Sequence, residues 1–216
     1  MKQLLTTAIA VFSLFIASAQ SLTTPAPSPT QTIKQNFGLS AVELSYSRPS
    51  MKGRKVFGDL VPFGQVRRTG ANSATTISFG DEVIINGTKI PAGKYGLLTI
   101  PGEKEWIIII SKQTDVTSPD AYKQDQDVVR VNATPQTMPV IMETFTMSFD
   151  FMKSNSCVLS MLWDKTWVAL EITTDVDSKV MKSIDNIMNK DNKPYYAAAS
   201  YYYDNGKDMN TALNWV

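Results

Sequence analysis

The stretch VIINGTKIPAGKYGLLTIPGEKEWIIII, residues 83–110, decides the fold. Asn86-Gly87 sits between two short apolar runs, and a two-residue hairpin turn needs positive φ at both central positions, which these residues tolerate. Pro91-Ala92-Gly93 marks a second turn and Pro101-Gly102 a third. In that third turn proline presets φ at the first central position of a type II turn, and glycine accepts the positive φ of the second. Residues 95–100 and 106–110 between them read as strands. The run at 106–110 is apolar without alternation, so it predicts a central strand covered on both faces.

The same logic extends in both directions. Val42, Leu44 and Tyr46 alternate with Glu43, Ser45 and Ser47, a half-buried strand. Residues 75–79 are β-branched and aromatic, and residues 128–131 form a shorter candidate. Phe145, Met147 and Phe149 share one face of a later strand. Cys157, Leu159, Met161 and Trp163 share a face of the next, with Val158 and Leu162 opposite. Asp164-Lys165 is predicted to turn the chain back into residues 167–172. Roughly nine strands with turn signals about every 8–12 residues predict a mainly β domain over 36–174. Its architecture is an antiparallel β-sandwich or a flattened barrel. No helical period separates the strands, which excludes a parallel α/β sheet.

The period changes after Thr174. Val176, Val180, Ile184, Ile187 and Met188 fall on one helical face, with Asp175 or Asp177 as N-cap. Pro194 suits a first helical position for a second helix over 195–203. Asp204-Asn205-Gly206-Lys207 breaks it, and Asp208 caps a third segment over 209–216. Residues 175–216 thus form an α-helical extension. Ala199, Tyr202, Gly206 and Ala212 are spaced like the second half of a tetratricopeptide-type hairpin. One such unit cannot bury its own face, so it docks on the sandwich or belongs to something longer.

The front of the chain reads as an export signal. Lys2 is a short positive region, residues 4–16 are apolar, and Ala17-Ser18-Ala19 fits the small-x-small cleavage rule. Residues 1–19 are expected to be removed, with no membrane span left. The protein is then expected in the periplasm or outside the cell. No cysteine follows the apolar run, which disfavours a lipid anchor. Pro25, Pro27 and Pro29 give residues 20–35 the composition of an extended spacer.

Composition removes whole classes of chemistry. The 216 residues include one cysteine and no histidine. Ser-His-Asp and Cys-His catalysis, histidine-ligated zinc and an internal disulfide are excluded. The formal charge of +1 argues against nucleic acid as a partner. Gly53 and Gly58 are spaced as in a P-loop, but Asp59 stands where the phosphate-binding lysine belongs. Residues 204–208 fail the EF-hand register, because Tyr201 would fall at the first ligand position. Asp125 and Asp127 offer at most a weak surface cation site, and a solvated loop is the commoner outcome. No metal and no cofactor is expected. Cys157 reads as a buried, inert thiol. Trp163 and Trp167 would flank a turn, as a platform for a sugar or, more commonly, as packing partners.

One segment is unusual. SRPSMKGRKVFGDLVPFGQVRRTGAN, residues 47–72, lies between two strand signals and carries Arg48, Lys52, Arg54, Lys55, Arg67 and Arg68 against a single acid, Asp59. Long connections in compact domains are often functional, and arginine offers a fork to carboxylate, phosphate or sulfate. Val56, Phe57, Leu60, Val61 and Phe63 equally allow the segment to be pinned to the core with its cations solvated. The ligand-binding candidates are Lys52, Arg54, Arg68, Thr69 and Asn72.

SRPSMKGRKVFGDLVPFGQV, then RTGANSATTISF, then VIINGTKIPAGKYGLLTIPGEKEWIIII resemble the bacterial domain-of-unknown-function family 2911 over about residues 44–172. The helical tail is similar to the segment found after that domain in some members. The resemblance implies an exported, β-rich protein and no assigned activity. It also marks one departure: the family motif usually has tryptophan immediately before Arg-Thr-Gly-Ala-Asn, where this chain has Arg67.

Three functions fit these observations. The first is a non-catalytic module in which the candidates line a groove for a small anionic or sugar-like ligand, or for a partner protein. The second is a histidine-free hydrolase acting on glycans through paired carboxylates among Asp59, Asp81, Glu103 and Glu105. The third is a structural part of an envelope assembly, with the helical tail binding protein. The first is favoured, since no motif brings two acids together.

Overall fold

An apolar residue at every second position forces a strand to choose a buried side, and two such sheets can share one core. In the computed structural model, which describes residues 24–190 and 193–216, ten strands make that choice. They are β1 (Thr30–Phe37), β2 (Ser40–Ser47), β3 (Thr76–Phe79), β4 (Val83–Ile85), β5 (Thr88–Ile90), β6 (Gly93–Ile100), β7 (Trp106–Ser111), β8 (Asp127–Ala133), β9 (Gln136–Asp150) and β10 (Ser156–Thr173). All pair antiparallel, in two sheets ordered β1-β2-β3-β6-β7-β8 and β5-β4-β10-β9. The expected sandwich is present and does not close into a barrel. The proposed export signal lies outside the described residues.

The core between the sheets takes Val42, Leu44, Ile77, Leu97, Ile108 and Ile110 from one side, and Ile85, Met147, Leu159, Met161, Leu170 and Ile172 from the other. Each such side chain contributes about 1.5–3 kcal/mol on burial. β7 has no alternation because its second face is also covered. Ile109 and Leu98 point away from the shared core into a smaller cluster with Val116, Val66 and Tyr122. The Asn86-Gly87 hairpin forms as expected, with φ of 48° and 75°.

Two strands depart from expectation. β1 starts at Thr30, inside the expected spacer. Its polar sequence hides an edge strand, held to β2 by ladder bonds and by side chains such as Tyr46 OH donating to Gln31 Oε1 at 2.9 Å. Asp164-Lys165 does not reverse the chain. β10 runs straight through it, and the register against β9 shifts on both sides of Asp164, whose φ is 52°. The inward positions are Cys157, Leu159, Met161 and Trp163 before the irregularity, and Val168, Leu170 and Ile172 after it. The break in parity that resembles a turn is a bulge. Pro139 is tolerated in β9 because β9 is an edge strand.

Three helices follow: α1 (Val176–Met188), α2 (Tyr195–Asp204) and α3 (Met209–Leu213). Asp175 caps α1, accepting from Ser178 N at 3.0 Å, and Asp208 caps α3. Pro194 stands one residue earlier than expected, at the N-cap of α2. The helices have their own small core of Ile184, Ala198, Ala199, Tyr202 and Ala212, edged by Trp215. With ten residues in α2 and five in α3, this arrangement does not carry the tetratricopeptide-type reading. Thr174 Oγ1 donates to Glu82 O at 2.9 Å, and Lys179 pairs with Asp81, tying α1 to the sandwich. No described helix is long and apolar enough to cross a membrane.

Burial pushes the Cys157 thiol up to about 11. The folded protein is expected to resist iodoacetamide at about pH 8, with alkylation appearing only as denaturant unfolds it; rapid labelling of the folded protein would contradict this burial. Lys179 holds the Asp81 carboxyl below the usual carboxylate range. Both side chains are more than a third exposed, so the pair contributes less than about 1 kcal/mol. A depressed folded-state pKa gives stability that is present above the unfolded value of about 4 and lost as pH falls through the folded value. Lys179→Met is therefore expected to lower urea stability slightly at about pH 7, and by progressively less as acid protonates Asp81 in the folded protein.

Candidate functional site

β2 and β3 are hydrogen-bonded neighbours, yet residues 48–75 separate them. A hairpin would need only a few residues, so this crossing has other work. It leaves β2, crosses one end of the sandwich and returns beside β6. Val56 and Val61 are buried in the main core, and Val61 N donates to Val56 O at 2.8 Å. Met51 N donates to Glu143 O and Phe145 N to Pro49 O, attaching the start of the crossing to β9. Gly64 N donates to Pro101 O at 2.8 Å. Arg67 and Thr99 exchange both backbone bonds, at 2.7 and 2.9 Å, which pins the return to β6.

The crossing is rich in left-handed residues. Thr69 has φ of 54°, an outlier for a β-branched residue that costs on the order of 1–3 kcal/mol. Its Oγ1 donates to Thr99 Oγ1 at 3.1 Å, and its carbonyl accepts from Thr75 Oγ1 at 2.7 Å. At Gly70 a Cβ would lie 2.8 Å from Ser47 O, so only glycine passes there.

Under this crossing lies a cavity of about 260 Å³, walled by both sheets. Trp106 comes from β7, Phe145 from β9, Trp163 from β10 and Phe57 from the crossing itself. The Phe57 ring meets Trp106 at 5.3 Å and Trp163 at 6.3 Å between centroids, both edge-on. Phe145 meets Trp163 at 5.5 Å. The lining also includes Arg54, Arg67, Arg68, Thr69, Gly70 and Thr99. Among the described residues no Asp, Glu, Asn or Gln lines it.

The three guanidinium groups are held by backbone carbonyls. Arg54 donates from Nε to Met51 O and from Nη2 to Ser50 O. Arg68 Nη1 donates to Asn72 O and Thr117 O, both at 2.7 Å. Arg67 Nη1 donates to Leu60 O at 3.1 Å. A guanidinium has five N–H donors, so each keeps capacity beyond these bonds. Partial burial, and then the charge of Arg68, lower the Arg67 pKa from its ordinary value.

Of the residues singled out from sequence, Arg54, Arg68 and Thr69 line the cavity; Lys52 and Asn72 do not. Lys52 takes φ of 51° and its N–H donates to Glu143 Oε1 at 2.8 Å. Asn72 ties the crossing to the segment before β1, its Nδ2 donating to Ser28 O at 2.9 Å. Sequence reasoning passed over Arg67 as a ligand residue, although its departure from the family motif marked the position. It also passed over the aromatic wall, whose members are scattered along the chain. Trp163 and Trp167 do not pair: Trp163 joins this wall, while Trp167 meets the exposed Phe151 at 6.5 Å.

The acids are elsewhere. Asp81 pairs with Lys179, and Asp59, Glu103 and Glu105 do not line the cavity. Asp127 accepts from Arg130 Nη1 at 2.8 Å and from Tyr122 OH at 2.5 Å. Burial and then that carboxylate push the Tyr122 phenol up to about 12. Among the described residues no three His, Cys, Asp or Glu side chains come together as a metal site.

Arg68→Ala removes both carbonyl ties between the return of the crossing and residues 72 and 117. We expect a loss of about 1 kcal/mol, because these charged bonds are solvent-exposed, and faster amide exchange over residues 67–73. Arg68→Lys should recover part of both, since both bonds leave one nitrogen and an ammonium also has donors for two carbonyls. Unchanged exchange in both variants would show that these ties are not structural.

Comparison with curated proteins gives no match. Comparison with solved structures gives none either. A family model described as "Protein of unknown function (DUF2911)" matches residues 28–172, the whole sandwich apart from the last residue of β10. The match runs from Ser28 at the cavity rim through Trp163 in its wall, so by it this chain belongs to the DUF2911 family.

Proposed function

We propose that this protein is an exported, non-catalytic binding module that takes a small anionic ligand into the cavity beneath residues 48–72. One observation carries the reading. Arg48, Lys52, Arg54, Lys55, Arg67 and Arg68 make no salt bridge among the described residues, and three of them line a cavity without a carboxylate. The described ion pairs lie elsewhere: Lys89–Glu82, Arg130–Asp127, Lys179–Asp81 and Lys207–Asp177. A chain of nearly zero net charge therefore concentrates positive charge where a concave surface also excludes part of the solvent. Attraction strengthens as the local dielectric falls, so an anion gains more here than at an open surface.

The lining supports binding over reaction. Among the described residues it holds no acid and no thiol, and its two buried hydroxyls, Thr69 and Thr99, are engaged with each other. The carboxylate-pair hydrolase keeps no supporting geometry, because its four candidate acids do not reach the cavity. Export is supported by Lys2, the apolar run 4–16 and Ala17-Ser18-Ala19, which lie outside the described residues.

The test is a ¹H–¹⁵N titration with sodium acetate, phosphate, benzoate and 3-phenylpropionate, each against chloride at matched ionic strength. At least one salt is expected to give saturable shifts clustered at residues 54, 57, 67–71, 99 and 106. Arg54→Met/Arg67→Met should abolish them. Shifts that never saturate, or that scatter over all lysines and arginines for every salt, would overturn the proposal.

A further inference from the structure

Resting on that reading, we infer that the cavity is a site for aryl carboxylates: a flat ring held by the aromatic wall, with a short arm ending in a carboxylate on Arg67. Size comes first. An apolar cavity of about 150 Å³ holds one benzene. At about 260 Å³ this one has room for a ring with a short arm, or a fused pair of rings. Shape is the second constraint. Phe57, Trp106, Phe145 and Trp163 already pack at centroid separations of 5.3 to 6.3 Å, edge-on or tilted. Aromatic pairs prefer separations of about 4.5–7 Å, so another ring can join on the same terms.

The head group is assigned by how Arg67 is held. Its backbone is paired on both sides with Thr99, and its Nη1 rests on Leu60 O. Leu60 and Phe57 belong to the same turn, so the cation and the ring wall are positioned by one short piece of chain. A half-buried, pre-positioned fork matches the two oxygens of a carboxylate. Arg54 is exposed at the rim and Arg68 is doubly engaged, so neither is as well placed.

The lining also disfavours the other ligands. Sugars need many polar partners around a stacked ring. Here the Trp163 indole N–H is spent on Glu143 O at 3.2 Å, and among the described residues no amide or carboxylate side chain lines the cavity. An inorganic anion would leave the aromatic wall without a partner.

Calorimetry on the full chain separates the possibilities, with 3-phenylpropionate, its neutral amide, acetate and phosphate as probes. The acid is expected to bind, the amide about tenfold or more weakly, and acetate and phosphate below detection. Arg67→Gln should reduce acid binding to the amide's level while leaving amide binding unchanged. A purely structural role for Arg67 would weaken both together. Trp106→Leu should weaken acid and amide alike. Thermal unfolding of each variant shows whether it is folded, and Arg67→Lys, which keeps the charge without the fork, should recover only part of the acid's affinity. If acetate or phosphate matches the acid, the aryl assignment falls and anion binding stands. Equal binding of acid and amide also removes the assignment. If no probe binds and the titration with the four salts shows no saturable shifts, both readings fall.

Discussion

The cap over the end of the sandwich depends on two apolar side chains. Val56 and Val61 reach into the core shared by the two sheets, and the turn between them carries Phe57 and Leu60. Phe57 then completes a wall whose other members stand on β7, β9 and β10, and the Leu60 carbonyl receives Arg67. The ordinary hydrophobic gain of two buried valines thus places both a ring and a cation. The strained geometry at Thr69 is tolerated because its neighbours Thr75 and Thr99 hold it from two sides. Strain of this kind persists only where the surroundings over-determine the backbone, and such places gather at sites of recognition.

How legible this was in the sequence depends on how local each signal is. Asn86-Gly87 specifies its hairpin within four residues, and the alternation of β2 needs only its own neighbours. β7 could be read as doubly covered because five apolar residues in a row admit no solvent face. Asp164-Lys165 misled because one dipeptide serves equally in a reversal and in a bulge. Only pairing with β9, set by residues some twenty positions away, distinguishes them. β1 was hidden because an edge strand needs few apolar residues. Its ladder bonds and its one buried side chain, Phe37, suffice.

The site divides in the same way. Arg54, Arg68 and Thr69 were visible as polar members of a glycine-rich connection. Arg67 was visible as a departure from the family motif, yet its meaning needed coordinates, since a tryptophan and an arginine at one position both suit an aromatic-walled cavity. Nothing local could assemble Phe57, Trp106, Phe145 and Trp163, which the topology of two sheets brings together from four separate elements. Lys52 and Asn72 share the composition of the site but hold its frame through backbone geometry and a single carbonyl contact.

The absence of imidazole has a further bearing on the cavity. Among the described residues its ionisable lining is made of guanidinium groups, and no side chain type in the chain ordinarily titrates between about pH 5 and 8. The electrostatic character of this pocket is therefore constant across mildly acidic and mildly alkaline surroundings. If the proposed binding holds, its acid–base sensitivity between about pH 5 and 8 would come from the guest molecule.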